Sequence, residues 1–386
     1  MAVGLTTFKD CHMTIKISQN FDSGAINVLR ADSAIAIDLQ LRPDNNADIH
    51  QWFHFRLQGT RGQACVLRFL NAGQATFPDG FKDYQAVASY DTEHWFRVPT
   101  SFDGATMTIA HTPQQDSIYY AYFEPYSWQR HLGLLGELGA HPLARVEDLG
   151  SSVEGRDMNL VVIGEPGAEK KIWFIARQHP GETMAEWFIE GLIDALLDDA
   201  NPIARKLLQR AAFYIVPNMN PDGSVRGNLR TNALGANLNR EWMTPTQERS
   251  PEVLCVKNRL HEVGCDMFFD IHGDEALPYN FVAGNEMLDN FTPSQAARQQ
   301  AFIAHYKQAS PDFQDRVGYA SGKYRADMLT LASKYVGYHF GCLALTLEMP
   351  FKDNADLPHL EVGWNGARSA QLGAAILQPI LLTMEG

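Results

Sequence analysis

Cysteine is scarce in this chain. Five are scattered over 386 residues, at Cys11, Cys65, Cys255, Cys265 and Cys342, with no Cys-x-x-Cys pair among them. That argues against a disulfide framework and reads as buried, reduced thiols in a reducing compartment. Long apolar runs are missing as well, since none approaches the ~18 residues that a membrane span requires. The opening Met-Ala-Val-Gly-Leu-Thr-Thr-Phe-Lys-Asp has no basic stretch followed by a sustained apolar one, so no secretory signal is expected. Basic charge is also short: 32 Lys and Arg against 45 Asp and Glu leave a net charge of −13. Nucleic acids and anionic membranes want a basic face, so neither is expected as a partner. Internal repeats and low-complexity segments are lacking too. These absences describe a cytoplasmic protein.

What is present is ordinary globular material, 45% apolar and 20% charged. The length suggests two domains and is ample for a core that needs no covalent or metal staple. Residues 14–18, 34–41, 52–57, 64–70, 85–89, 95–98 and 106–110 are short alternating runs separated by turn residues. That spacing predicts an antiparallel sandwich or barrel of about seven or more strands. Trp52, Phe53, Phe55, Trp95 and Phe96 are assigned to its core. After about residue 120 the rhythm changes. Apolar strands at 171–177, 212–216, 266–271 and 343–347 alternate with helical stretches at 183–199, 251–263, 295–309, 326–338 and 363–383, the last with a kink at Pro379. Such alternation predicts an α/β domain with a mixed, largely parallel sheet flanked by helices. The expected division is a β-sandwich over residues 1–120 and a catalytic domain over 121–386.

In open α/β sheets the ligand site lies at the carboxyl ends of the strands. The first buried strand is followed by Gln178-His179-Pro180-Gly181-Glu182, the second by Asn218-Met219-Asn220-Pro221-Asp222-Gly223. The third is followed by His272-Gly273-Asp274 and the fourth by Glu348. Two imidazoles and a carboxylate, His179, Glu182 and His272, make a three-ligand zinc set that keeps a fourth position for water. Glu348 is then the spare carboxylate, fit to accept a proton, with burial at a strand end holding its pKa up. Between the second and third strands runs a polar stretch with Gly227-Asn228-Leu229-Arg230-Thr231-Asn232 and Asn237-Leu238-Asn239-Arg240-Glu241-Trp242. It is either a flexible surface loop or an anion site, since arginine presents a fork that matches a carboxylate and can hold an oxyanion.

With HPGET at 179–183, NPDG at 220–223, GNLRTN at 227–232, NLNREW at 237–242, DIHG at 270–273 and TLEMPF at 346–351, the sequence resembles the zinc carboxypeptidases of the carboxypeptidase A type. More narrowly it resembles their cytosolic carboxypeptidase subfamily, which carries a β-sandwich ahead of the catalytic domain. The resemblance covers residues 120–386. It implies a zinc-dependent hydrolysis of C-terminal peptide bonds, with one zinc ion per chain held by His179, Glu182 and His272. It further implies Glu348 as general base, Arg230 as oxyanion donor, and Asn239 with Arg240 as the clamp for the terminal carboxylate. Peptide or protein C-termini are the implied partners. The subfamily's preference for acidic C-terminal residues points to a basic group in the pocket, for which Lys334 is the candidate and Arg325 lies further off.

The sequence departs from the family pattern in three places. Asn237 stands where an aspartate usually orients a zinc-bound imidazole, and its amide oxygen is still an acceptor. Gly181 stands where carboxypeptidase A has an arginine, for which Arg177 is a possible substitute. Tyr319, Tyr324 and Tyr335 compete for the place of the active-site tyrosine. Two other functions share parts of this pattern: an N-acyl amino acid deacylase of the aspartoacylase type, and a catalytically silent peptide-binding protein.

Overall fold

The computed structural model describes residues 14–320 and 327–385. Ten short strands come first: β1 (Lys16–Ser18), β2 (Asn27–Ser33), β3 (Ala36–Gln40), β4 (His54–Gln58), β5 (Cys65–Phe69), β6 (Val87–Ser89), β7 (Trp95–Arg97), β8 (Thr100–Phe102), β9 (Met107–His111) and β10 (Ser117–Ala121). They form two five-stranded sheets, in the orders β1-β4-β10-β6-β7 and β2-β3-β5-β9-β8. Pairing is antiparallel except between β3 and β5, which run parallel. The alternation in β5 (buried, half-buried, buried) is the period of a strand with one face on a core. Trp52, Phe53, Phe55 and Trp95 are buried in this half and Phe96 packs at the edge of its core.

Seven further strands build one sheet: β11 (Ala144–Ser151), β12 (Asp157–Ile163), β13 (Lys170–Ala176), β14 (Ala211–Val216), β15 (Met267–Asp274), β16 (Phe281–Ala283) and β17 (Leu343–Pro350). Their order is β11-β12-β14-β13-β15-β17-β16. The central pairs β14–β13, β13–β15 and β15–β17 are parallel, and the outer strands are antiparallel. Every residue of β14 and β15 is buried, because helices cover both faces. Those helices are α1 (Trp128–Ala140), α2 (Met184–Leu197), α3 (Pro202–Leu208), α4 (Pro221–Arg226), α5 (Pro251–Val263), α6 (Pro293–Ala309), α7 (Ala332–Phe340), α8 (Gly366–Ala375) and α9 (Leu377–Glu385). The expected C-terminal helix is thus two helices, and Pro379 lies in the first turn of the second. None of the helices among the described residues is long and apolar enough to cross a membrane.

The two halves share one hydrophobic core, which runs from Phe53 and Tyr122 through Phe351 to α2 and α8. Helices α2 and α8 touch backbone to backbone. A Cβ on Gly191 would fall 2.0 Å from the Ala370 carbonyl oxygen, and one on Gly373 would fall 2.0 Å from that of Phe188.

Candidate active site

The chain leaves β13 through Arg177, which takes φ +60° and buries its guanidinium completely. That guanidinium donates to Glu186 Oε2 at 2.7 Å, to the Tyr126 carbonyl at 3.0 Å and to the Pro180 carbonyl at 3.0 Å. Arg177 is therefore committed to bracing the 178–182 turn and is not a substrate-facing replacement for the residue at Gly181. The turn is pinned from the other side too: Gly181 N–H donates to the Leu229 carbonyl at 2.8 Å, and Asn220 Nδ2 to the Gln178 carbonyl at 3.1 Å. Asn-Pro-Asp-Gly is here no surface turn. Asn220 caps α4 by accepting from Gly223 N–H at 3.0 Å, and Asn220, Pro221, Asp222 and Gly223 are all buried.

This framework delivers His179 and Glu182 to His272. The three are buried, and their ligating atoms all lie within 4.8 Å of one another. Glu182 Oε1 is 2.6 Å from His179 Nδ1, and Oε2 is 2.7 Å from His272 Nδ1. The far nitrogen of each ring is held in turn: His179 Nε2 lies 3.0 Å from Asn237 Oδ1, and His272 Nε2 lies 2.9 Å from Asp270 Oδ1. Asp270 is itself aligned by both oxygens accepting from Gln178 Nε2 at 2.9 Å, and Trp242 Nε1 fixes Gln178 at 2.8 Å. Two Nδ1 atoms and a carboxylate converge, each imidazole oriented by a second acceptor, and this donor set fits zinc.

The electrostatics agree with a cation site. Burial, then the Arg230 charge, pushes His179 down to about 3, so its ring is neutral. Burial works against the charge of Glu182, but His179 and His272 outweigh it and hold the carboxylate below the usual range. Burial likewise opposes a charged His272, yet Asp270 and Glu182 raise it well above the ordinary histidine value. In the ion-free protein a proton is thus stabilised where a cation is wanted.

His272 and Glu348 are register partners on the parallel strands β15 and β17, so both side chains leave the same face of the sheet. Glu348 is buried; its Oε1 lies 2.9 Å from the Tyr319 hydroxyl, and its Oε2 has no hydrogen-bond partner among the described residues. Tyr319 also reaches Asp274 Oδ2 at 2.9 Å. Tyr335 is packed elsewhere, its hydroxyl on His261 Nε2 at 2.9 Å. Tyr324 and Arg325 lie outside the described residues.

Arg230 is half-buried with its guanidinium 5.3 Å above the Phe77 ring. Asn239 is buried beside His272, Nδ2 to Nε2 3.3 Å, and accepts from Ala332 N–H at the start of α7. Arg240 donates to the Asn239 carbonyl at 2.6 Å. Lys334 lines a cavity of about 580 Å³ together with Phe281, Glu286, Arg316 and Tyr319. Because Tyr319 touches Glu348 and Phe281 is its register partner on β16, this cavity adjoins the site. A separate cavity of about 490 Å³, lined by Phe21, His54, Trp95 and Trp187, contains none of these residues.

Reading the sequence missed Asp270, Gln178 and Asp274. The signal for the two aspartates was present, since residues two before and two after His272 on a strand share its face. Nothing local marked Gln178.

The chain is similar to known proteins over both of its halves. Residues 17–123 match the cytosolic carboxypeptidase N-terminal domain, and residues 137–361 match the zinc carboxypeptidase family. Mouse cytosolic carboxypeptidase 6 is 28% identical over 90% of this chain and 71% of its own length. The crystal structure of a metallo-carboxypeptidase from Burkholderia cenocepacia is similar with a TM-score of 0.95 and 60% identity, covering 96% of this chain and 99% of that one. A metallo-carboxypeptidase from Pseudomonas aeruginosa, in complex with (2-guanidinoethylmercapto)succinic acid, has a TM-score of 0.93 at 42% identity, covering 96% and 99%. The chain therefore belongs to the zinc carboxypeptidase family, with the N-terminal domain of its cytosolic branch, and is a peptide-hydrolysing metallocarboxypeptidase.

Proposed function

We propose that this protein is a cytoplasmic carboxypeptidase that binds one zinc ion per chain through His179, Glu182 and His272. Residues 121–386 form its catalytic domain behind the β-sandwich of residues 1–120, and it removes single residues from peptide or protein C-termini, preferring acidic ones. The observation that carries this reading is the convergence of the three ligand side chains beside Glu348, which faces His272 in register and keeps one oxygen unpartnered among the described residues. Zinc, when bound, supplies Lewis acidity toward water and the scissile carbonyl. Glu348 takes the proton of the attacking water and returns it to the leaving amine. Arg230 donates to the developing oxyanion. Asn239 and Arg240 hold the terminal carboxylate, which fixes the register so that only the last bond is cut.

The acidic preference rests on Lys334. It faces the cavity beside the site and makes no hydrogen bond or ion pair within the described residues, and burial lowers its pKa to about 8. At pH 7 the amine is still mostly protonated, and an acidic side chain in that cavity would supply the ion-pair partner it lacks among the described residues. A second reading has its own observation. Glu286 lines the same cavity, and the ligand carried by the Pseudomonas aeruginosa relative includes a guanidino group, so a basic side chain would pair with Glu286.

Mass spectrometry of peptides ending in Glu, Asp, Leu, Lys or Arg, incubated with zinc-loaded protein, decides between them. Chelator-sensitive loss of single Glu or Asp residues is expected, and Lys334→Ala should cut the ratio of Glu to Leu release by about 10-fold or more, as the loss of a charged partner does. Fast release of Lys and Arg favours the Glu286 reading. Cleavage of N-acyl amino acids with no peptide trimming would replace both with a deacylase.

A further inference from the structure

The segment that carries Arg230 is held in place from the other half of the chain. Asp44 lies in the loop after β3 and is only 5% exposed. Its carboxylate accepts from three successive backbone N–H groups, those of Leu229 at 2.7 Å, Arg230 at 2.8 Å and Thr231 at 3.0 Å, and from the Thr231 hydroxyl at 3.1 Å. A buried carboxylate would be costly without such partners, and consecutive amides around one anion form a tight, directional cradle. The neighbours of Asp44 join in: Asn45 N–H donates to Asn228 Oδ1 at 3.2 Å, and Asn46 Nδ2 to the Ala233 carbonyl at 2.9 Å. Contact is so close that a Cβ at Gly227 would fall 2.5 Å from the Ser23 oxygen, and one at Gly235 would fall 2.3 Å from the Asn46 oxygen.

The same loop touches the metal turn, because the Leu229 carbonyl accepts from Gly181 N–H. The guanidinium end is backed as well. Phe77, under Arg230, is fixed through its own backbone by Gln51, which accepts from Phe77 N–H at 3.0 Å and donates to the Phe77 carbonyl at 3.1 Å. Both ends of Arg230, its peptide and its charged tip, thus rest on residues of the β-sandwich half.

We propose that Asp44 is a positioning residue for catalysis: it locks the Leu229–Thr231 backbone so that Arg230, backed by Phe77, stays aimed at the reacting carbonyl oxygen. This rests on the reading of Arg230 as the oxyanion donor. The N-terminal half is then part of the catalytic apparatus, acting through a residue it does not contain.

A double-mutant cycle on the full, zinc-loaded chain tests it, with kcat and KM for a Glu-terminated peptide, zinc content and melting temperature read together. Asp44→Asn keeps the shape but turns an NH2 group toward the amides. It is expected to lower kcat by about 10- to 100-fold, the scale of a misplaced catalytic group, with KM and zinc content little changed. Arg230→Ala should cost about 10²- to 10³-fold in kcat, the scale of a lost oxyanion donor. Beside Arg230→Ala, Asp44→Asn should cost almost nothing further. A purely structural role would give the same loss in both backgrounds, together with lost zinc or melting temperature, and would overturn the proposal, as would an unchanged kcat in Asp44→Asn. Should that variant not fold, Thr231→Val and Phe77→Leu enter the same cycle. A kcat loss confined to the Arg230 background supports the proposal; no loss in either, or a loss that persists beside Arg230→Ala, defeats it. A wild type that trims nothing would defeat the functional reading and this inference together, whereas normal trimming with independent losses defeats the inference alone.

Discussion

Glu348 occupies a place where burial pushes its carboxyl up to about 8; His272 opposes the shift, while Glu182 and Asp274 add to it. At pH 7 the ion-free protein therefore holds Glu348 mostly protonated. A dication beside it favours the carboxylate, so metal binding must expel that proton. Calorimetric titration of zinc in two buffers of different protonation enthalpy should show the wild type releasing about one proton more than Glu348→Gln at pH 7. Equal release would mean that Glu348 is not coupled to the metal. The placement of His179, Glu182, His272 and Glu348 was legible because the strands were: the first two follow β13, and the last two lie in the carboxyl-terminal halves of the parallel strands β15 and β17. The choice of tyrosine was not legible. Tyr319 comes to Glu348 from a long connection after α6, and nothing in its own neighbourhood of sequence records that approach. The arginine at 177 was misleading for the same reason: its partners Tyr126 and Glu186 are brought to it by the fold.

At the scale of elements, the buried strands and long helices were visible from period and length, and α5 matches its expected span. The outer antiparallel strands β11 and β12 and the helix α1 were not picked out. Strand β11 sits at the sheet edge and buries none of its residues, so its apolar pattern is broken, while β12 beside it buries five of seven but offers only a four-residue apolar run at 160–163. Helix–helix contacts were equally hidden, because a glycine in a helix looks only like a weak helix former until its neighbour is known. Gly191 and Gly373 let α2 and α8 approach to backbone contact. Gly191→Ala would gain helix propensity but drive a methyl into the Ala370 carbonyl. The clash should dominate and destabilise the protein by about 2–3 kcal/mol, the range of overpacked sites. Denaturant unfolding checks this: an unchanged or higher midpoint would show that α2 and α8 can separate at little cost. The α2 N-terminus adjoins Glu182, so a shift there should also lower zinc affinity.

For the whole molecule, what the sequence could not convey is how far the two halves depend on each other. An N-terminal β-rich region reads as a β-sandwich of its own over residues 1–120. In the fold it shares a core with the catalytic half, and Arg97 of β7 donates to the carbonyls of Phe351 at 3.0 Å, Trp364 at 2.9 Å and Val362 at 3.2 Å. These carbonyls belong to the segment that follows Glu348, so the sandwich also braces the end of β17. Arg97→Ala would strand several carbonyls and should cost about 2–4 kcal/mol. Scanning calorimetry should show one unfolding transition, lowered in the variant as a whole. Two transitions, only one of them moved, would show that the halves are independent.

The most direct measurement is the rate of C-terminal trimming of one Glu-terminated peptide by wild type and by Glu348→Gln, both carrying measured zinc. Equal zinc content is expected, with a loss of about 10²- to 10⁴-fold in the variant, the range that a general acid–base contributes. Trimming at the wild-type rate by zinc-loaded Glu348→Gln would contradict it, because proton transfer would then not pass through the residue around which the site is built.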